Sequence, residues 1–120
     1  LPFDGRAHFF SAAARAMRQV VVDDARKRGR IKRGGGERPT SLDRVGEPAA
    51  DEPATEILAL DEALRTFETL DPRAARVVEC RYFAGLTVEK TAEALGVSPT
   101  TVKREWAAAR AWLYRAMSEG

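Results

Sequence analysis

Side chains that could carry out chemistry are scarce in this sequence of 120 residues, which holds one histidine, His8, and one cysteine, Cys80. A lone imidazole and a lone thiol form neither a metal-ligand pair nor an intrachain disulfide. No Gly-rich phosphate loop and no Ser/His/Asp set accompanies them. The pattern excludes the common enzyme classes and implies no cofactor and no metal. A single thiol fits a reducing compartment, and no apolar run approaches the ~18 residues of a membrane span, so a cytoplasmic location without membrane contact is expected.

Cations, by contrast, are abundant and unevenly placed. Residues 1–44 hold 11 basic and 5 acidic side chains, residues 45–72 hold 1 and 8, and residues 73–120 hold 8 and 5, although the net charge is only +2. Two basic blocks flank an acidic one. Guanidinium and ammonium groups grip phosphates and the acceptor edges of guanine, so the basic blocks are where a nucleic acid would be held.

The second block contains the most specific pattern. From Thr87 to Trp106 a capping Thr, the small Ala92, Leu95-Gly96-Val97, and a new start at Ser98-Pro99 follow one another, with Val102 and Trp106 as apolar pins. Gly96 supplies the positive φ of a sharp turn, and this spacing is that of a helix-turn-helix. Its second helix would present Ser98, Pro99, Thr100, Thr101, Lys103 and Arg104: hydroxyls small enough for close approach in the major groove, and cations to reach phosphates or base edges. A helix hairpin in a small bundle would carry the same caps and glycine, so the motif alone leaves both readings open.

The elements that must position these residues are all helical. Phe9 to about Arg28 lacks Gly and Pro, and at 100° per residue Phe10, Ala13, Ala14, Met17, Val20 and Val21 gather on one face. That places Arg15, Arg18, Gln19 and Arg26 on the other face, with Val22 among them, pointing away from the packed side. Ser11 is a cap for a helix that starts slightly later, Gly29 a stop, and Asp24 conflicts with the apolar face unless the last turns fray or a nearby Arg pairs with it. Phe10 reads as a core anchor and Phe9 as pointing sideways. Three consecutive glycines and Pro39, Pro48 and Pro53 then mark a flexible linker.

Helical spacing resumes at Ala54 with Ile57, Leu60, Leu64 and Phe67. Asp71-Pro72 is a cap followed by a first-turn proline, opening a helix to about Phe83 that Gly85 closes. Thr87 to Leu95 and Ser98 to Met117 complete the set. The fold class is therefore all-α: a basic N-terminal helix within residues 1–33, a linker over 34–53, and a four-helix module over 54–120.

The run Cys80-Arg81-Tyr82-Phe83-Ala84-Gly85-Leu86-Thr87 leading into Thr101-Val102-Lys103-Arg104-Glu105-Trp106 resembles region 4 of bacterial RNA polymerase sigma factors of the extracytoplasmic-function (ECF) class. His8-Phe9-Phe10, Ala13 to Arg18 and Lys32-Arg33-Gly34-Gly35 resemble the end of region 2 in one branch of that class, and Ala111-Trp112-Leu113-Tyr114 its C-terminal end. Thr91 departs from the pattern where an aliphatic pin is common, and Asp24 is acidic in a basic helix.

The resemblance implies a transcription initiation factor whose partners are promoter DNA, the RNA polymerase core and an anti-sigma factor. The helix beginning at Ser98 would read the −35 element. The neighbourhood of Asp4-Gly5-Arg6 and the Arg15, Arg18, Gln19 and Arg26 face would meet the −10 element. It also implies that region 2 helices belong upstream of Leu1, so the chain is expected to be truncated at its N-terminus. A helix-turn-helix regulator of the response-regulator effector type would explain Thr87 to Trp106 but not the first 35 residues. A helical adaptor would not explain the segregated charge.

Overall fold

The computed structural model describes residues 5–31 and 53–119, all helical apart from short turns. The expected linker, Pro53 excepted, lies outside the described residues, as do Asp4 and the basic run from Lys32 onward. Among the described residues there is no strand. The helices are α1 (Gly5–Ile31), α2 (Ala54–Leu70), α3 (Pro72–Val78), α4 (Val88–Leu95) and α5 (Pro99–Glu119), with one wider helical turn, Glu79–Phe83, continuing α3.

Local chemistry explains most of these boundaries. The Asp71 carboxylate accepts from the Ala74 N–H at 3.1 Å, and Pro72 follows it at a position that has no hydrogen bond to lose. Thr87 caps α4 by accepting from the Lys90 N–H at 3.0 Å. After the wider turn the Ala84 N–H reaches the Glu79 carbonyl at 3.0 Å and the Leu86 N–H the Cys80 carbonyl at 2.8 Å, with Gly85 at φ 68° between them. The first helix departs from expectation at both ends. It begins at Gly5, so Ser11 lies inside it, and it runs past Gly29 to Ile31.

The main core joins Ile57, Leu60, Leu64 and Phe67 of α2 to Val77 and Val78 of α3 and to Val102, Trp106, Ala109 and Leu113 of α5. Phe67 and Trp112 rings meet at 5.1 Å. Each large aliphatic buried here is worth about 1.5–3 kcal/mol relative to exposure. Four of the five residues in the wider turn are buried, Glu79, Cys80, Tyr82 and Phe83, because that turn is enclosed by α1, α3 and α4 rather than lying on a surface. Helix α1 packs on α2, the wider turn and α4, while α5 packs on α2, α3 and α4.

The packed face of α1 is not the one its apolar pattern suggests. Ala14, Val21, Val22 and Ala25 are buried and Phe10 is half-buried, whereas Ala13, Met17 and Val20 are exposed. The buried face is rotated by roughly 70° from the expected one, at 100° per residue. Val22, expected outward, packs inward. Asp24 lies outside and pairs with Arg28 at 2.8 Å, which removes the conflict noted in the sequence.

Candidate nucleic-acid interface

The α4–α5 corner is built by backbone chemistry. Gly96 ends α4 in the left-handed region, where its N–H still reaches the Ala92 carbonyl. The Val97 N–H is bonded to the same carbonyl at 3.1 Å. Ser98 then opens α5, its hydroxyl oxygen accepting from the Thr101 N–H at 3.1 Å and its O–H donating to Thr101 Oγ1 at 3.0 Å. On the inner side Val102, Trp106, Ala109 and Leu113 are buried against the core. The corner therefore holds α5 at a set angle through its first three turns.

On the outer side lie Ser98, Pro99, Thr100, Lys103 and Arg104, all exposed, followed by exposed Ala107, Ala108 and Ala111. Thr101 is half-buried, and its hydroxyl is engaged by Ser98. Neither Lys103 nor Arg104 forms an ion pair among the described residues. The face thus combines available cations with a smooth alanine surface, which suits close approach to a polyanionic groove.

Two supports of this face were not visible in the spacing. Arg73, at the start of α3, holds Glu105 of α5 through Nε at 3.1 Å and Nη2 at 2.5 Å. The bonds it donates to Glu105 raise the Arg73 guanidinium above its ordinary value, and they neutralise a carboxylate on a helix that would face phosphates. Arg81 donates to the Leu86 carbonyl, and its guanidinium lies 5.9 Å from the centroid of the Trp106 ring. Arg110 approaches the same ring at 5.5 Å. Only the i,i+3 and i,i+4 relations of a sequence are readable in advance, and Arg73 and Glu105 are 32 residues apart.

The four α1 candidates do not share one environment. Arg15, Gln19 and Arg26 are exposed, with Gln19 Nε2 and Arg26 Nη1 both donating to Asp23 Oδ1, at 3.3 and 3.1 Å. Arg18, expected on the same free face, is turned inward. Its Nε donates to Asp61 Oδ1 at 2.9 Å, and its Nη1 donates to Glu68 Oε1 at 3.1 Å and to Glu79 Oε2 at 2.9 Å. The physical reason is that Asp61 and Glu79 are buried, and buried carboxylates without a cation carry a large desolvation cost.

Burial disfavours the Arg18 charge, but the bonds it donates to Glu79, Glu68 and Asp61 outweigh it and raise the group above its ordinary value. Burial pushes the Glu79 carboxyl up, only partly offset by Arg18. Arg76 joins Glu68 at 2.9 Å and Glu79 at 3.0 Å, and Arg65 joins Asp61 at 3.2 Å. Arg18, Asp61, Glu68 and Glu79 themselves line a polar cleft of about 280 Å³, whose rim includes Arg15 and Arg26.

Of the remaining residues of interest, Phe9 is exposed. Phe10 lies between Arg6 at 5.6 Å and Lys90 at 5.3 Å. Cys80 is buried with Ala14 and Ala94, and burial pushes its thiol up to about 12. Thr91 is fully buried, and its hydroxyl has no hydrogen-bond partner. No group of His, Cys, Asp and Glu among the described residues could hold a metal ion.

The model of the ECF sigma factor family matches residues 2–119. The chain belongs to the ECF sigma factors. The match takes in α1 as well as α2 to α5, the part a response-regulator effector left unexplained. No curated protein and no solved structure gives a significant match. As an ECF sigma factor the chain serves transcription initiation, in a family that binds the RNA polymerase core and promoter DNA. No described helix of this sigma factor is long and apolar enough to cross a membrane.

Proposed function

We propose that this ECF sigma factor reads the −35 promoter element with the start of α5. The observation that carries the reading is the exposed set Thr100, Lys103 and Arg104, unpaired at its two cations, on a helix whose angle is set by the Gly96 turn and the Ser98 cap. Thr100 and Arg104 point into the groove, Lys103 lies on its flank toward a phosphate, and Ser98 and Thr101 keep their hydroxyls for the cap. Arg15, Gln19 and Arg26 on α1 serve the −10 element. Arg18 serves it only in an arrangement where α1 has left the acidic cluster. An anti-sigma factor is the expected regulator.

Changing Lys103 and Arg104 together to Ala tests this. Each lost phosphate contact lowers the slope of log K against log salt by about 0.9, so loss of the Lys103 contact should lower it by about one, with at least about tenfold weaker binding to −35 duplex once the Arg104 contact is lost as well. Helical content should be unchanged, since both side chains are exposed. Parental affinity and slope in the double variant would overturn the assignment.

A further inference from the structure

We propose that Asp61, Glu68 and Glu79 form a guanidinium-binding site on the α2–α5 module, with Arg18 as its resident ligand, and that this site holds α1 in a docked form that withholds Arg18 from nucleic acid. The withholding rests on the reading of α1 as a DNA-facing helix. The site itself does not.

The geometry selects a guanidinium. Nε and Nη2 of Arg18 both meet Asp61 Oδ1 at 2.9 Å, while Nη1 is shared between Glu68 at 3.1 Å and Glu79 at 2.9 Å. A planar fork with donors along several in-plane directions fits three carboxylates around its rim, whereas an ammonium is a single point with three donors. The acids lie 43, 50 and 61 residues from Arg18 in the chain, so the tertiary fold gathers them. The side chains of Asp61 and Glu79 are 9% and 2% exposed. Arg65 also pairs with Asp61, and Arg76 with Glu68 and Glu79, but neither touches all three acids as Arg18 does.

The remainder of the docking is a modest apolar contact, with one largely exposed ion pair at its start, Arg6 Nε to Glu93 Oε2 at 2.7 Å, and Phe10 under the Lys90 ammonium at 5.3 Å. The buried side chains of α1 are Ala14, Val21, Val22 and Ala25. Two alanines and two valines give little directional specificity, so Arg18 sets the register of α1. It is also the component that a phosphate can compete for, because a guanidinium pairs with phosphate and carboxylate through the same fork. When Arg18 leaves, three carboxylates face each other with less cationic compensation. Asp61 and Glu79 are buried away from solvent that could compensate them, so the empty site favours recapture.

Cys80 reports the docked form without any added probe. It is 1% exposed in a cluster with Ala14, packed by Phe10, so undocking α1 uncovers its thiol. The experiment follows alkylation of Cys80 by iodoacetamide in the full chain, with Trp106 and Trp112 fluorescence as the check that the module stays folded. Arg18→Ala should label at least about tenfold faster than the parent, since removing one partner of a buried ion cluster is strongly destabilising. Guanidinium chloride at low, non-denaturing concentration should restore protection to Arg18→Ala, whereas sodium chloride of equal ionic strength should not. Arg18→Lys should protect less than Arg18.

Parental labelling of Arg18→Ala, or equal effects of the two salts, would overturn the site. Should Arg18→Ala disturb the module, Glu68→Gln, altered at a partly exposed position, should still speed labelling, and no change there would count against the site equally. A short single-stranded oligonucleotide should speed Cys80 labelling in the parent by drawing Arg18 out, and labelling unaffected by it would overturn the withholding. Binding of −35 duplex by the Lys103 and Arg104 variant, measured separately, tests the reading of α5 and leaves the Arg18 site to its own result.

Discussion

Two glycine-to-alanine changes should have opposite signs, and the difference isolates backbone conformation from packing. Gly96 has φ +68°, and a Cβ built there meets nothing within 4 Å. Gly29 lies within α1, and a Cβ built there meets only the Ala54 Cβ at 3.8 Å, an ordinary van der Waals separation. Gly96→Ala therefore loses stability only through the left-handed conformation, about 1–2 kcal/mol, less the several tenths gained by restricting the unfolded chain. The net loss is about 1 kcal/mol. Gly96→Val, β-branched, should lose about 2. Gly29→Ala should gain about 0.5–1 kcal/mol, because alanine is the better helix former and nothing obstructs it.

For a body of this size each kcal/mol moves the melting temperature by about 4–8 °C. Thermal unfolding followed by far-ultraviolet circular dichroism should then show Gly96→Ala a few degrees below the parent, Gly96→Val lower still, and Gly29→Ala slightly above. Equal melting temperatures for Gly96→Ala and the parent would refute the reasoning, since no steric relief exists to compensate the strained φ. A loss at Gly29 equal to that at Gly96 would refute it from the other side.

Thr91→Val should stabilise the chain by about 1 kcal/mol, visible as a higher denaturation midpoint at unchanged m, because the valine keeps the shape of a fully buried residue and removes a hydroxyl with no partner. Cys80, whose thiol rises from 9.0 to about 12 through burial, holds its proton in the folded state while the unfolded chain loses it. Stability should accordingly fall as pH rises through that interval, at up to about 1.4 kcal/mol per pH unit. Denaturant titrations should show a shallower alkaline decline for Cys80→Ala than for the parent, and parallel declines would contradict the assignment.

Most helix starts were legible because they rest on neighbours in the chain. Asp71, Thr87 and Ser98 each accept from the backbone N–H three residues on, so residue types and short spacings suffice. The outward set Lys103 and Arg104 was legible for a related reason: Val102 and Trp106 mark the inner side of a 3.6-residue period, which leaves the others outside. The face of α1 was not legible. That helix carries apolar residues over more than half its circumference, and the wheel selects the richer arc, Ala13, Met17 and Val20, which the structure leaves exposed.

By itself, then, the sequence determined the all-α class, the order of the helices, the glycine turn and the cationic start of α5, because each depends on bonds and periods spanning a few residues. It also carried the family resemblance. Only the tertiary structure decided which side of α1 is buried, that Arg73 and Glu105 pair, and that one of four apparently equivalent polar residues, Arg18, faces inward. Those choices depend on charges brought together across 32 to 61 residues. Burial then makes an uncompensated carboxylate costly enough to override the apolar preference of a two-sided helix.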